Sequence, residues 1–143
     1  MQIRPATPAD LDVLAQIYTN ERRRAFHWQP HERFQNSDLI KDTEGEVVFV
    51  ATEQERPIGF VSLWTADNFI HHLYVDFKYQ NRRVGQALLQ HAVQILSRPA
   101  RLKCVVQNLN ACRFYEKNGW QIESTTHDGP EGPYHTYRLD ETV

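Results

Sequence analysis

Leu73-Tyr74-Val75-Asp76-Phe77-Lys78-Tyr79-Gln80-Asn81-Arg82-Arg83-Val84-Gly85-Gln86-Ala87-Leu88-Leu89 carries the chain from a strand, through a basic loop, straight into a helix. Leu73 to Val75 close a β-rich run that starts at Phe69. Val84, Ala87, Leu88, His91, Ala92 and Ile95 then fall at i, i+3, i+4, i+7, i+8 and i+11, the stripe of an amphipathic helix stopped by Ser97-Arg98-Pro99. Main-chain N–H groups at such a helix start lack partners and point along the positive end of the macrodipole, so the turn suits a phosphate or pyrophosphate. Gly85 and Ala87 leave room for close approach, and Lys78, Arg82 and Arg83 add charge. The same residues also fit an ordinary connection with a solvated basic rim. The loop has no Gly-Lys-Ser/Thr and no GxGxxG in a βαβ unit, which excludes nucleotide hydrolysis and hydride transfer.

Outward from this stretch, Val47 to Ala51 and Ile58 to Trp64 are β-rich runs joined through Glu53 to Pro57, and Phe69 to Val75 follows Asp67-Asn68. Three strands joined so tightly predict an antiparallel meander. Upstream, Ile3 marks a short strand. Thr7-Pro8-Ala9-Asp10 gives an N-cap hydroxyl, a first-turn proline and an acid, and predicts a helix through Leu11, Leu14, Ile17 and Tyr18. The arginine-rich Asn20 to Arg24 reads as the solvated end of that helix. Phe26 to Asp42 has no steady period and reads as a loop with one short helix. Downstream come a strand from Leu102 to Val106, a helix from Asn108 to Asn118 closed by Gly119, and strands from Trp120 to Thr126 and Tyr134 to Leu139. The order is β-α-(α)-β-β-β-α-β-α-β-β, an α/β chain with a mixed sheet.

The 143 residues suit one domain, and 16 Lys+Arg against 18 Asp+Glu leave a net charge of −2, without the basic face that nucleic acid requires. No apolar run approaches the roughly 20 residues that span a bilayer, and Met1 to Pro5 lead into a helix signal without a secretory apolar stretch; both predict a cytoplasmic protein. Cys104 and Cys112 show neither CxxC nor Cys/His spacing, so buried thiols are expected rather than a disulfide framework or a metal site.

Gln80 to Ala87 resembles the Q/R-x-x-G-x-G/A acyl-CoA loop of the GCN5-related N-acetyltransferase (GNAT) superfamily. Asn108-Leu109-Asn110-Ala111-Cys112-Arg113-Phe114-Tyr115-Glu116-Lys117-Asn118-Gly119-Trp120 resembles its N-x-x-A-x-x-F/L-Y-x-K-x-G-F segment, one helix and one strand later. The resemblance covers essentially the whole chain, residues 1–143. It departs at Arg83, where the family has its first loop glycine; a helical φ is expected there, which does not demand glycine.

The resemblance implies a GNAT fold, with seven mixed strands flanked by helices and the fourth and fifth strands splayed apart. It implies acetyl-CoA as cosubstrate, held by the main chain of Leu73, Tyr74 and Val75 and by Gln80, Asn81, Arg82, Arg83, Val84, Gly85, Gln86 and Ala87. Asn108 is expected to contact the pantetheine arm, to cap the following helix, or both. Tyr115 matches the tyrosine that protonates the departing thiolate; a core tyrosine is the other reading. His71 and His72 precede the cofactor strand, and alternation sends them to opposite faces. His71 is the closer match to a histidine of the aromatic-amine acetyltransferases and the favoured base, with packing as the other reading of the pair, and Lys103 stands where some protein acetyltransferases carry a glutamate. Trp28, Phe34, Glu44 and Glu46 fall in the region where the family places acceptor recognition, and would suit a cationic amine with an apolar body; a locally packed loop with a solvated acidic end is the other reading.

The expected activity is acetyl transfer to a primary amine by direct attack in a ternary complex, with a small amine favoured as acceptor. Acetylation of protein lysines or N-termini, or a non-catalytic acyl-CoA sensor on the same fold, are the alternatives. A homodimer is left open by the sequence.

Overall fold

The structure, a computed structural model, describes residues 1–141. Its elements are β1 (Gln2–Pro5), α1 (Leu11–Ala25), α2 (Asp38–Asp42), β2 (Val47–Glu53), β3 (Arg56–Trp64), β4 (Phe69–Val75), α3 (Val84–Ile95), β5 (Ala100–Val105), α4 (Leu109–Lys117), β6 (Gln121–Thr126) and β7 (Tyr134–Leu139). The strands form one seven-stranded mixed sheet in the order β1-β2-β3-β4-β5-β7-β6. Only β4 and β5 run parallel, as the α3 crossover between them requires.

Each sheet face is covered because the strands carry apolar groups on both sides. Val61, Leu63, Ile70 and Leu102 pack with Val84, Leu88 and Ala92 of α3, and with Cys112 and Tyr115 of α4. Val50 and Phe60 face Leu14, Ile17 and Tyr18 of α1 and Leu39 of α2. Leu88 is fully buried, and its truncation to alanine costs on the order of 2–5 kcal/mol.

The α1 signal acts through a single turn of 3-10 helix at Pro8–Asp10. Asp10 accepts the Thr7 N–H at 2.8 Å and both ends of the Arg4 guanidinium at 2.8 and 2.9 Å. The Arg4 hydrogen bonds are the main reason that its carboxyl is held down to about 2.

The β2–β3 connection is the two-residue turn Gln54-Glu55, shorter than the expected Glu53 to Pro57, with φ of +50° and +67°. Both residues are left-handed, the geometry of a tight hairpin more often built from Asn-Gly, and Gln-Glu carries no local signal for it. The arginines ending α1 are not simply solvated. Arg22 is 8% exposed, donates to Asp38 Oδ2 at 3.0 Å and lies 3.7 Å over the Tyr18 ring. Arg23 donates to the carbonyls of His31 and Phe34. The polar run therefore anchors the segment between α1 and β2, which folds into one 3-10 turn at His31–Arg33 and the short α2.

Candidate active site

β4 and β5 are paired only at Phe69↔Arg101 and Ile70↔Leu102. Beyond Ile70 the strands diverge while β4 stays paired to β3 as far as Gly59↔Val75, so one edge of β4 is left without a ladder partner. The gap opens into a cleft of about 1290 Å³, lined by Leu73 to Val75 on one side, Arg83 to Gln86 on a second, and Asn108 and Tyr115 with the rest of the α4 face on a third.

At the head of α3 the first helical bond is donated by Ala87 N–H to Arg83 O, 3.1 Å. Among the described residues no main-chain carbonyl reaches the amides of Val84, Gly85 and Gln86. They are donors at the positive end of a three-turn helix, aimed where an anion gains most. A Cβ at Gly85 would lie 3.6 Å from Phe114 and 3.7 Å from Val75, between two side chains that line the cleft. The expected helical φ at Arg83 is wrong. Its φ is +64°, and Asn81 is also left-handed at +66°, because the chain must reverse sharply from Gln80 into α3. That conformation costs a non-glycine residue about 1 kcal/mol. Gln80 is occupied as a brace: its amide donates to Val75 O at 3.0 Å and to Glu21 Oε1 at 3.1 Å. Glu21, whose other oxygen accepts the Phe77 N–H, is buried, and burial raises its carboxyl above the usual range. Arg82 and Ala87 lie outside the lining; the Arg82 guanidinium sits 5.5 Å over the Tyr79 ring.

Asn108 stands at the N-cap position of α4, yet its side chain makes no capping hydrogen bond and lines the cleft instead. Tyr115 packs against Phe114, Trp120 and Tyr137 with ring centroids 5.2 to 6.3 Å apart, and its residue is 9% exposed. Burial pushes its phenol pKa up, so it is fully protonated at neutral pH. Cys104 and Cys112 are free and buried as expected, with sulfurs 3.5 Å apart. The sequence reading missed the cations at the cleft, Arg113 and Lys117 of α4 and Arg24 of α1. Asn110, Arg113, Phe114 and Lys117 recur at i, i+3, i+4 and i+7, so helical spacing could have assigned them to one face.

The two histidines are not on opposite faces. The β3–β4 register shifts between Ser62 and Leu63, which pair with His72 and Ile70, so His71 is the extra residue of a bulge. Both rings turn to the same side and stack with centroids 3.9 Å apart. His71 is exposed, and its Nδ1 hydrogen-bonds Glu46 Oε2. His72 packs edge-on to Tyr18, and burial holds its pKa down to about 3. Neither histidine nor Glu46 lines the cleft, whose wall begins at Leu73.

Of the expected acceptor residues, Phe34 is 2% exposed and packs beside Phe26 and under Arg22, so its ring is core. The Trp28 indole N–H donates to Glu131 O at 3.2 Å. Arg33 adds bonds to Pro130 O and Glu131 Oε1, tying this segment to the β6–β7 turn. Glu44 is exposed on the turn before β2. Among the described residues no helix is long and apolar enough to cross a membrane.

The model of the acetyltransferase (GNAT) family matches residues 11–120 of this chain. A spermidine N(1)-acetyltransferase of Thermoplasma acidophilum is 28% identical over 101 residues, which is 66% of this chain and 63% of that relative's length. A GCN5-related N-acetyltransferase structure from Rhodopseudomonas palustris superposes with a TM-score of 0.78 at 24% identity, covering 98% of this chain and 95% of the other. A PaiA N-acetyltransferase from Thermoplasma acidophilum, solved with coenzyme A, gives 0.76 at 19% identity, covering 96% and 98%. At these identities the two structures establish a shared fold.

Proposed function

Since the chain belongs to the acetyltransferase (GNAT) family, we propose that residues 1–143 form an acetyl-CoA-dependent N-acetyltransferase acting on a small primary amine. The observation that carries this reading is the splayed β4–β5 gap, with the unpaired amides of Val84, Gly85 and Gln86 at one end and Tyr115 in its wall. These residues fit the cosubstrate: a free strand edge suits the two amides of pantetheine, and the α3 amides with Arg83, Arg113 and Lys117 suit its phosphates.

Acetyl-CoA, when bound, supplies an activated thioester. The main-chain N–H groups of β4 stabilise the oxyanion that develops as the amine attacks directly. Tyr115 protonates the departing sulfur. A phenol gives up its proton to a thiolate of ordinary pKa near 8.5 only where that thiolate is as poorly solvated as the phenol, and the same apolar wall desolvates both. An alkyl ammonium must first lose a proton. His71, oriented by Glu46, is the better base, because His72 with a pKa of about 3 is too weak to hold that proton at neutral pH. His71 lies two strand residues before the cleft wall at Leu73, so the proton passes through water.

A small acceptor is favoured by the named polyamine specificity of the 28%-identical relative. Thiol release from acetyl-CoA, followed colorimetrically with a panel of polyamines, arylalkylamines and lysine peptides, tests the proposal. Turnover confined to small amines supports it. Turnover with peptides alone rejects the acceptor class, and absence of any thiol release with intact CoA binding rejects the enzyme in favour of a sensor.

A further inference from the structure

Glu46 and the β4 residues His71 and His72 come together, with one potential ligand atom from each lying within 4.8 Å of the other two. Glu46 sits just ahead of β2 and reaches across the end of β3 to the bulge in β4. Its side chain is only 4% exposed, and Oε2 is taken by His71 while Oε1 is buried with no hydrogen-bond partner. His72 Nε2 is likewise buried and unpartnered. The His72 ring is held between His71, stacked at 3.9 Å, and Tyr18, edge-on at 5.1 Å, so packing fixes the direction in which Nε2 points.

We infer that Glu46, His71 and His72 bind a divalent transition-metal cation of the zinc class. Two imidazole nitrogens and one carboxylate oxygen select zinc, cobalt or nickel over calcium and magnesium, which take all-oxygen sites. A tetrahedral ion with bonds near 2.1 Å needs donors about 3.4 Å apart, within reach of small side-chain rotations from the present cluster. One ion satisfies both orphaned atoms, and the exposed side of His71 leaves a fourth position for water. Sequence spacing gave no sign of this, because Glu46 precedes His71 by 25 residues.

Binding also bears on activity. The ion takes the lone pair that His71 uses as base, so it inhibits acetyl transfer; this consequence alone rests on the function proposed above.

Tag-free protein is titrated with Zn²⁺ by calorimetry and with Co²⁺ by visible spectroscopy. One equivalent is expected, with a Co²⁺ spectrum free of thiolate charge transfer, no response to Mg²⁺ or Ca²⁺, and affinity at least tenfold weaker in Glu46→Gln and His71→Ala. His71 is exposed, so its variant stays folded and carries the test even where a change at Glu46 does not. Absence of Zn²⁺ binding, unchanged affinity in His71→Ala, or a thiolate band reporting Cys104 and Cys112 would each overturn the site. Zn²⁺ bound at the site without loss of thiol release would leave the site standing and refute His71 as the base.

Discussion

Replacing Tyr115 by phenylalanine removes one hydroxyl from a ring held on three sides by Phe114, Trp120 and Tyr137. Among the described residues that hydroxyl has no hydrogen-bond partner, so its loss orphans no donor or acceptor and leaves the packing intact. Folding stability should change by less than about 0.5 kcal/mol, within the range of a substitution that breaks nothing. Binding of coenzyme A should also hold, because the strand edge and the α3 amides are untouched. The transition state, by contrast, loses the proton donor for a sulfur in a desolvated wall. Removing a positioned acid costs about 100- to 10,000-fold in rate, or about 3–5 kcal/mol of barrier. Thermal melts, calorimetry with coenzyme A, and thiol-release kinetics at saturating acetyl-CoA separate these three quantities. A variant with full kcat would show that the thiolate leaves without Tyr115. A parallel fall in melting temperature and coenzyme A affinity would mean that the hydroxyl is structural and that the rate loss is indirect.

Gly85→Val should weaken coenzyme A binding at least tenfold, since a methyl at that Cβ already touches Phe114 and Val75 and two more carbons fill the gap between them; an unchanged Kd would place the ligand elsewhere. Arg83→Gly should raise stability by about 0.5–1 kcal/mol in urea melts by relieving the left-handed φ, and no gain would mean that the guanidinium compensates for the strain. His71→Gln should remove the acidic limb of the kcat/KM profile while His72→Gln keeps it, because His72 is already neutral across that range; the reverse result would exchange their roles. Asp10→Asn should cost about 2 kcal/mol at neutral pH. The Asp10 carboxyl lies at about 2 in the fold against 3.8 ordinarily, so the unfolded chain binds the proton more readily. The stabilisation is complete above about pH 4 and fades as pH falls through 2, and a gap between wild type and variant that persisted there would refute the Arg4 pairing as its source.

The strands, the α3 stripe and the loop between β4 and α3 were legible in the sequence because each is a local pattern. Periods of 2 and 3.6 residues report which side of one element is apolar, and an N-cap or a terminal glycine reports where a helix stops. From the same local patterns came the two motifs that carry the family resemblance, with Gly85, Asn108 and Tyr115 on the cleft. What depends on two or more elements was not legible. Whether His71 and His72 share a face was decided by a one-residue register shift against β3, and such a shift reverses every later side chain without altering the composition of the strand. Arg22 looked solvated until α2 brought Asp38 beside it, and Phe34, left open between a ligand contact and local packing, is buried by the same packing. The left-handed φ at Arg83 came from the path the chain must take between β4 and α3, and the meeting of Glu46 with His71 came from the way β3 ends. A sequence encodes which groups each element offers, whereas pairing register and the layering of helices on the sheet decide which of those groups meet.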